Sequence, residues 1–325
     1  RRTGYDLVYV TTQRVQTTGS DAFDFHNLGL SEVKRIHGEM DKVMQEVGFK
    51  GTRAEFFQYL RTDPKFKVAS REALTQGYYD IGKRVDKLLP KLFSTFPKTP
   101  LEIRPYPEFL EKDSAGGSYQ PGTPDGKRPG IFYFNAYDLP SRTTPGMETL
   151  YLHEGSPGHH FQIALAQEND KLPSFQRFGG NTAFAEGWAL YAESLGKELG
   201  MFTDPYQYFG RLDDEMLRAM RLVVDTGIHA KGWSRQQAID YMLANSSQGE
   251  TDVVNEVDRY VAMPAQALAY KVGNLRIRAA RKRAEKALGA NFDVRKFHEQ
   301  VLMSGALPLE VLDAKIDRWI AAGGK

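Results

Sequence analysis

Apolar residues recur along most of the chain at intervals of three and four, the spacing that lines one face of an α-helix. Leu30, Val33, Ile36, Met40, Val43, Met44 and Val47 keep this period and stop at Gly48, which suits a helix C-cap. The spacing predicts one helix there. Thr52 with Glu55 and Ser234 with Gln237 have the spacing of capping boxes, so helices are predicted to open at TRAEFFQYL and SRQQAIDYMLANS. Helical period also covers roughly residues 70–95, 205–228, 250–288, 292–303 and 308–321. The middle departs from it. PLEIRPYPEF (100–109) and IFYFNAYDL (131–139) are aromatic and branched, and they flank SAGGSYQPGTPDGKRPG, dense in Gly and Pro, so two short strands around a loop are predicted.

These elements make a mostly α chain with a small β-sheet and no internal repeat. The expected organisation is a single domain over 1–325: helical over 1–99, sheet and loop over 100–140, and helical again over 141–325. The start, RRTGYDLVYV, neither begins with Met nor has the form of a signal peptide, so the chain is read as the C-terminal part of a longer protein. Composition changes this picture little. The 325 residues are 41% hydrophobic and 26% charged, and a net charge of +2 provides no overall field for nucleic acid or membrane. No run approaches the ~18 apolar residues of a membrane span. The chain has no cysteine, so a metal site must be built from His, Asp and Glu.

Three of the seven histidines fall in YLHEGSPGHHFQ, residues 151–162. In H-E-x-x-H on a helix, two imidazoles lie one turn apart and the Glu beside the first can polarise a metal-bound water. His153 and Glu154 fit that pattern, but its fifth position is Pro157. On an unbroken helix His160 would share the face of His153, yet lie about 10 Å along the axis at ~1.5 Å per residue, too far for chelation. Pro inside a helix removes a hydrogen bond, so Ser156, Pro157 and Gly158 are expected to form a break that draws the next segment back, with His159 or His160 then reaching the metal. A third ligand is expected from TAFAEGWALYAESLGKELG (182–200), whose apolar residues surround the helix as in a buried element. A carboxylate there needs a positive partner, which makes Glu186 the candidate ligand. Glu193, two turns on, is placed to orient a ligand by hydrogen bonding.

Four ordered blocks, HEGSPGHHFQ, FAEGWALYAE, RLVVDTGIHAKGW (221–233) and MPAQALAYKVG (263–273), give the chain a resemblance to the bacterial domain of unknown function 885 family, grouped with zincin-type metallopeptidases. The resemblance runs from about residue 24 to the C-terminus. It implies a zincin-like helical metallopeptidase domain of gluzincin type, with the small sheet beside the active-site helix. His153 would be the first ligand, Glu154 the general base and Glu186 the third ligand. A Gly often precedes the second ligand in helical gluzincins, which favours His159, with His160 as the alternative. Members are usually longer at the N-terminus and often carry an export signal, which favours a periplasmic or cell-envelope location.

Further roles are expected around this centre. Tyr270 or His229 would steady the oxyanion of the reaction, Tyr260 and Arg259 would contact substrate, and His160 would do so if it is not a ligand. IFYFNAYDL is read as an edge strand beside the metal helix, with Asn135 and Ala136 lining a cleft that takes peptide main chain as an added strand. The basic run RIRAARKRAEKALG (276–289) is read as a solvated face, since it lacks the interleaved aromatics of a nucleic-acid site. The expected function is a zinc-dependent hydrolase of short peptides, using a metal-activated water with Glu154 as base. Two rivals share these residues: a catalytically degenerate metal protein that binds a peptide or partner, and a hydrolase of non-peptide amides.

Overall fold

The computed structural model describes residues 22–112 and 114–325. The readings of the chain start and of the first part of the 1–99 helical region fall outside the described residues. In chain order the helices are α1 (Ala22–Glu46), α2 (Arg53–Thr62), α3 (Arg71–Leu88), α4 (Glu108–Glu111), α5 (Met147–Glu154), α6 (His159–Glu168), α7 (Ser174–Phe178), α8 (Thr182–Ser194), α9 (Gly196–Leu199), α10 (Pro205–Lys231), α11 (Arg235–Asn245), α12 (Glu250–Ala262), α13 (Ala269–Leu288), α14 (Val294–Leu302) and α15 (Leu309–Ala321). Three strands, β1 (Leu101–Pro105), β2 (Gly117–Gln120) and β3 (Gly130–Phe134), lie between α3 and α5. The architecture is mostly α with one small sheet. No described helix is long and apolar enough to cross a membrane.

The local signals act as expected. The apolar stripe of α1 is buried through Val33, Ile36, Met40, Val43 and Met44, and Gly48 follows with φ +73°. Both capping boxes form, at Thr52 with Glu55 and at Ser234 with Gln237. The period over 250–288 does not make one helix. It breaks at Met263, Pro264 and Ala265, which has φ +65°, and the Ala265 amide donates to both carboxylate oxygens of Asp225 at 3.1 and 3.0 Å. Proline removes the amide a continuous helix would use, and a buried carboxylate holds the turn open.

The sheet corrects the expected edge strand. Its order is β1-β3-β2, with β3 parallel to β1 and antiparallel to β2. IFYF is therefore central, with Phe132 and Phe134 packing on Tyr78 of α3 at 5.0 and 5.1 Å between ring centres. The additional strand, GSYQ, lies in the Gly- and Pro-dense stretch read as loop, and its outer side is unpaired among the described residues. At four residues with no apolar alternation, it carries no periodic signal.

Two close helix crossings set the frame of the site. At Gly29 of α1, an added Cβ would lie 2.7 Å from Val223 Cγ2 of α10. At Gly187 of α8 it would lie 2.4 Å from the Gly273 backbone of α13, and at Gly273 it would lie 1.8 Å from the Ala183 carbonyl oxygen. Glu215 of α10, 1% exposed, joins three helices by facing Lys271 of α13 at 2.5 Å, Arg35 of α1 at 2.5 Å and Arg211 at 2.8 Å. Half of the basic residues in the run of α13 are ion-paired among the described residues: Arg276 and Arg283 meet Asp313 at 2.6 and 2.8 Å, and Arg281 meets Glu198 at 2.8 Å.

Gly187→Ala should push α8 from α13, because the obstructing atoms are backbone. A loss of about 1–3 kcal/mol in urea unfolding is expected, as for overpacked cores. Asp225 provides a pH test. Burial pushes its carboxyl up to about 8, against the Ala265 amide bond. A raised folded value means stability is lost as pH rises from the unfolded carboxylate range toward 8. Relative to wild type, Asp225→Asn should gain stability between pH 5 and 8 and hold a constant difference above, read as urea midpoints from pH 5 to 9.

Candidate metal centre

The centre begins where α5 ends. His153 and Glu154 close that helix, Gly155 to Gly158 form the connection with a cis Ser156-Pro157 peptide, and His159 opens α6. The chain doubles back so tightly that a Cβ on Gly158 would lie 1.9 Å from the His153 carbonyl oxygen. Trp188 Nε1 of α8 donates to the Pro157 carbonyl at 2.8 Å, tying the connection to the helix that carries Glu186. The break thus does the work of the missing helical turn. The His153 and His159 rings stand perpendicular with centres 4.8 Å apart.

Glu186 completes the set. Its Oε2 lies 3.6 Å from His153 Nε2 and 3.2 Å from His159 Nε2, and one ligand atom from each residue falls within 4.8 Å of the others. Ligands about 2.0–2.1 Å from a tetrahedral zinc are separated by roughly 3.3 Å. The two separations from Glu186 lie close to this spacing, and the wider cluster would close slightly around an ion. Oε2 of Glu186 has no hydrogen-bond partner among the described residues, and neither has Oε2 of Glu154. Two imidazoles, a carboxylate and orphaned buried oxygens fit a divalent cation.

The surroundings prepare these groups. His153 Nδ1 bonds Glu193 Oε1 at 2.6 Å, which leaves Nε2 turned to the centre. Burial would raise the Glu193 carboxyl, but Arg218, whose Nη2 is 3.7 Å away, and His153 hold it below the usual range. Burial lowers the affinity of His153 for its proton, yet the Glu186 carboxylate 3.6 Å away and the bond to Glu193 push it up to about 10. A cation must therefore displace that proton. Burial pushes the Glu154 carboxyl up despite His153 and His159 nearby.

A cleft of about 360 Å³ opens beside His153 and Glu154, lined also by Tyr270, Arg259, Asn135 and the 114–117 segment leading into β2. Tyr270 stacks on His153 with centres 6.5 Å apart, and its hydroxyl is 3.4 Å from Arg259 Nη2. Other expectations are corrected. His160 is 2% exposed, points to the sheet where its Nδ1 meets the Tyr119 hydroxyl at 3.1 Å, and is pushed down to about 4 by burial. It neither joins the ligand cluster nor lines the cleft; adjacent residues on a helix project about 100° apart. His229 bonds the Tyr260 carbonyl at 2.9 Å, about 12 Å beyond Arg221 along α10 at ~1.5 Å per residue, outside the cleft. Tyr260 is 1% exposed and donates to Glu256 Oε2 at 2.5 Å, so its hydroxyl braces a carboxylate and does not face substrate. Ala136 is buried in the core and does not line the cleft, whereas Asn135 does, its side chain donating to the Glu111 and Ser114 carbonyls at 2.8 and 2.9 Å.

The sequence reading missed Arg218 and Arg221, both buried and both on the cleft wall. Their signal was available: arginines in the apolar stretch EMLRAMRLVV need partners for the same reason as Glu186.

Fold and site together define a mostly helical protein with a small sheet and a partly buried His-His-Glu cluster. The chain belongs to the family described as "Bacterial protein of unknown function (DUF885)", which matches residues 8–316. No curated protein matches it. It is similar to the crystal structure described as "the putative lipoprotein from Colwellia psychrerythraea", at 38% identity and TM-score 0.94 over 97% of this chain and 55% of that one. A "putative lipoprotein of unknown function" from Shewanella oneidensis shares the fold, at 22% identity and TM-score 0.80 over 96% of this chain and 60% of that one. The chain therefore spans little more than half the length of these relatives.

If the geometry governs binding, His159→Ala should abolish uptake of one equivalent of divalent cation, while His160→Ala should retain it. Metal content after dialysis against micromolar zinc and gel filtration checks this; the reverse pattern would shift the centre to His160.

Proposed function

We propose that the chain is a zinc-dependent hydrolase of zincin type acting on peptide bonds. The observation that carries this reading is the convergence of His153, His159 and Glu186, with ligand atoms within 4.8 Å of one another and the partnerless carboxylate oxygen of Glu154 beside them. Zinc bound there would serve as a Lewis acid that acidifies water and polarises a carbonyl.

The protein's own groups divide the remaining work. Glu154 accepts the proton at Oε2, and the burial that raises its carboxyl brings it toward the pH where a base is effective. Glu193 fixes the His153 ring through the 2.6 Å bond to Nδ1, with Arg218 behind it. Tyr270, beside His153, presents a hydroxyl for the carbonyl oxygen that gains charge. The unpaired outer side of β2, continuous with the 114–117 cleft wall, offers backbone groups to an extended peptide. The lipoprotein descriptions of both solved relatives support a cell-envelope location.

Glu154→Gln tests the reading, since it keeps size and hydrogen bonding but removes the basic oxygen. Zinc content should persist while cleavage of a mixed peptide library falls ~10²-fold or more. Zinc-loaded wild type that binds peptides but cleaves none, indistinguishable from Glu154→Gln, would overturn it in favour of a non-cleaving binding protein. Loss of zinc in Glu154→Gln would make Glu154 a ligand.

A further inference from the structure

The cleft has two distinct ends. One carries His153 and Glu154 together with Arg218, Arg221, Arg259 and Tyr270; the other continues through Asn135, Arg142 and Asp214 into a hollow of about 380 Å³. The first end holds guanidinium groups whose hydrogen-bonding capacity is incompletely used. Arg221 is 4% exposed, and its Nε and Nη2 both meet Glu256 Oε2, at 3.0 and 2.7 Å. Its Nη1 has no acceptor among the described residues, and neither has Nε of Arg218, whose Nη1 is taken by Asp214 at 3.0 Å. Glu256 is also shared with Arg259 at 3.5 Å, so one carboxylate faces two guanidiniums.

Geometry ties this positive wall to the centre. Tyr270 lies against both, its ring 6.5 Å from that of His153 and 4.3 Å from the Arg221 guanidinium carbon. A stacked guanidinium is held in plane, the condition for recognising a carboxylate, and an unfilled N–H in a buried wall gains most from an anionic acceptor. Extended peptide advances about 3.4 Å per residue. The two spacings put Arg221 no more than about three extended residues from His153, so a carboxylate held there belongs to a peptide that ends shortly beyond a carbonyl at the centre.

We propose that Arg221, supported by Arg218 and Arg259, is a receptor for the C-terminal carboxylate of the substrate, so that the chain selects peptides ending within about three residues of the cleaved bond. The proposal rests on the peptidase reading for its meaning, but the receptor is testable without turnover.

The test is calorimetric binding to Glu154→Gln protein, with zinc and after chelation, of N-acetyl-trialanine, its C-terminal amide, and an otherwise equal amide with glutamate as last residue. The free acid is expected to bind at least ~10-fold tighter than the plain amide in both metal states, the scale of a charged hydrogen-bonded pair. Arg221→Gln, in the same background, should bring the ratio near one while leaving amide affinity in place. Should Arg221→Gln fail to fold, the acid-to-amide ratio decides alone. Equal affinities overturn the proposal. Selectivity seen only with zinc assigns the carboxylate to the metal and overturns it too. A glutamyl amide matching the acid replaces a C-terminal receptor with an acidic side-chain subsite, whereas one as weak as the plain amide supports the C-terminus. Hydrolysis is scored separately: selective binding without cleavage by zinc-loaded wild type removes the peptidase reading and leaves the receptor standing.

Discussion

Three carboxylates, those of Glu154, Glu186 and Glu193, surround the His153 and His159 imidazoles in a site where all but Glu186 and His159 are fully buried. Burying an ionised carboxylate costs several kcal/mol unless positive charge or hydrogen bonds face it. That cost organises the neighbourhood. Glu193 is answered by His153 and Arg218, Arg218 by Asp214, and Arg221 by Glu256, so compensation extends outward from the centre into the cleft wall. Glu154 and Glu186 each keep a carboxylate oxygen without a hydrogen bond among the described residues, and a cation at the centre would face both.

Such compensation demands positional accuracy, and the helix crossings supply it. Glu186 is next to Gly187, whose contact with Gly273 brings α8 and α13 to backbone distance; Tyr270 is one turn before Gly273. The same crossing thus places a candidate ligand and a cleft-lining phenol. Lys271, fully buried next to Tyr270, joins α13 to Glu215 of α10, the helix that presents Arg218 and Arg221. Packing and electrostatics restrain the same elements, so the cleft wall and the ligand cluster keep a common frame.

Much of this was legible in the chain. Periodicity and caps located the helices because each reports a local constraint: an apolar stripe needs a partner face, and the first amides of a helix need acceptors. The clustering of His153, Glu154 and His159 with a carboxylate in an unusually apolar helix pointed to a common centre by the same local logic. Pro157 signalled a break, and the break is there.

What tertiary structure alone decided is which side each group faces and what it meets. The sequence left His159 and His160 as alternatives; the tight return at Gly158 turns one to Glu186 and the other to Tyr119. Tyr270 and His229 were both expected at the oxyanion and Tyr260 at the substrate, yet of the three only Tyr270 lines the cleft; α12 and α13 are set apart by the turn that Asp225 holds. The order β1-β3-β2 makes IFYF central and the short GSYQ an edge, a result of non-local pairing that strand composition does not encode. Local pattern determines that a residue is buried, helical or capped; its partner comes from elsewhere in the chain, and chemistry depends on the partner.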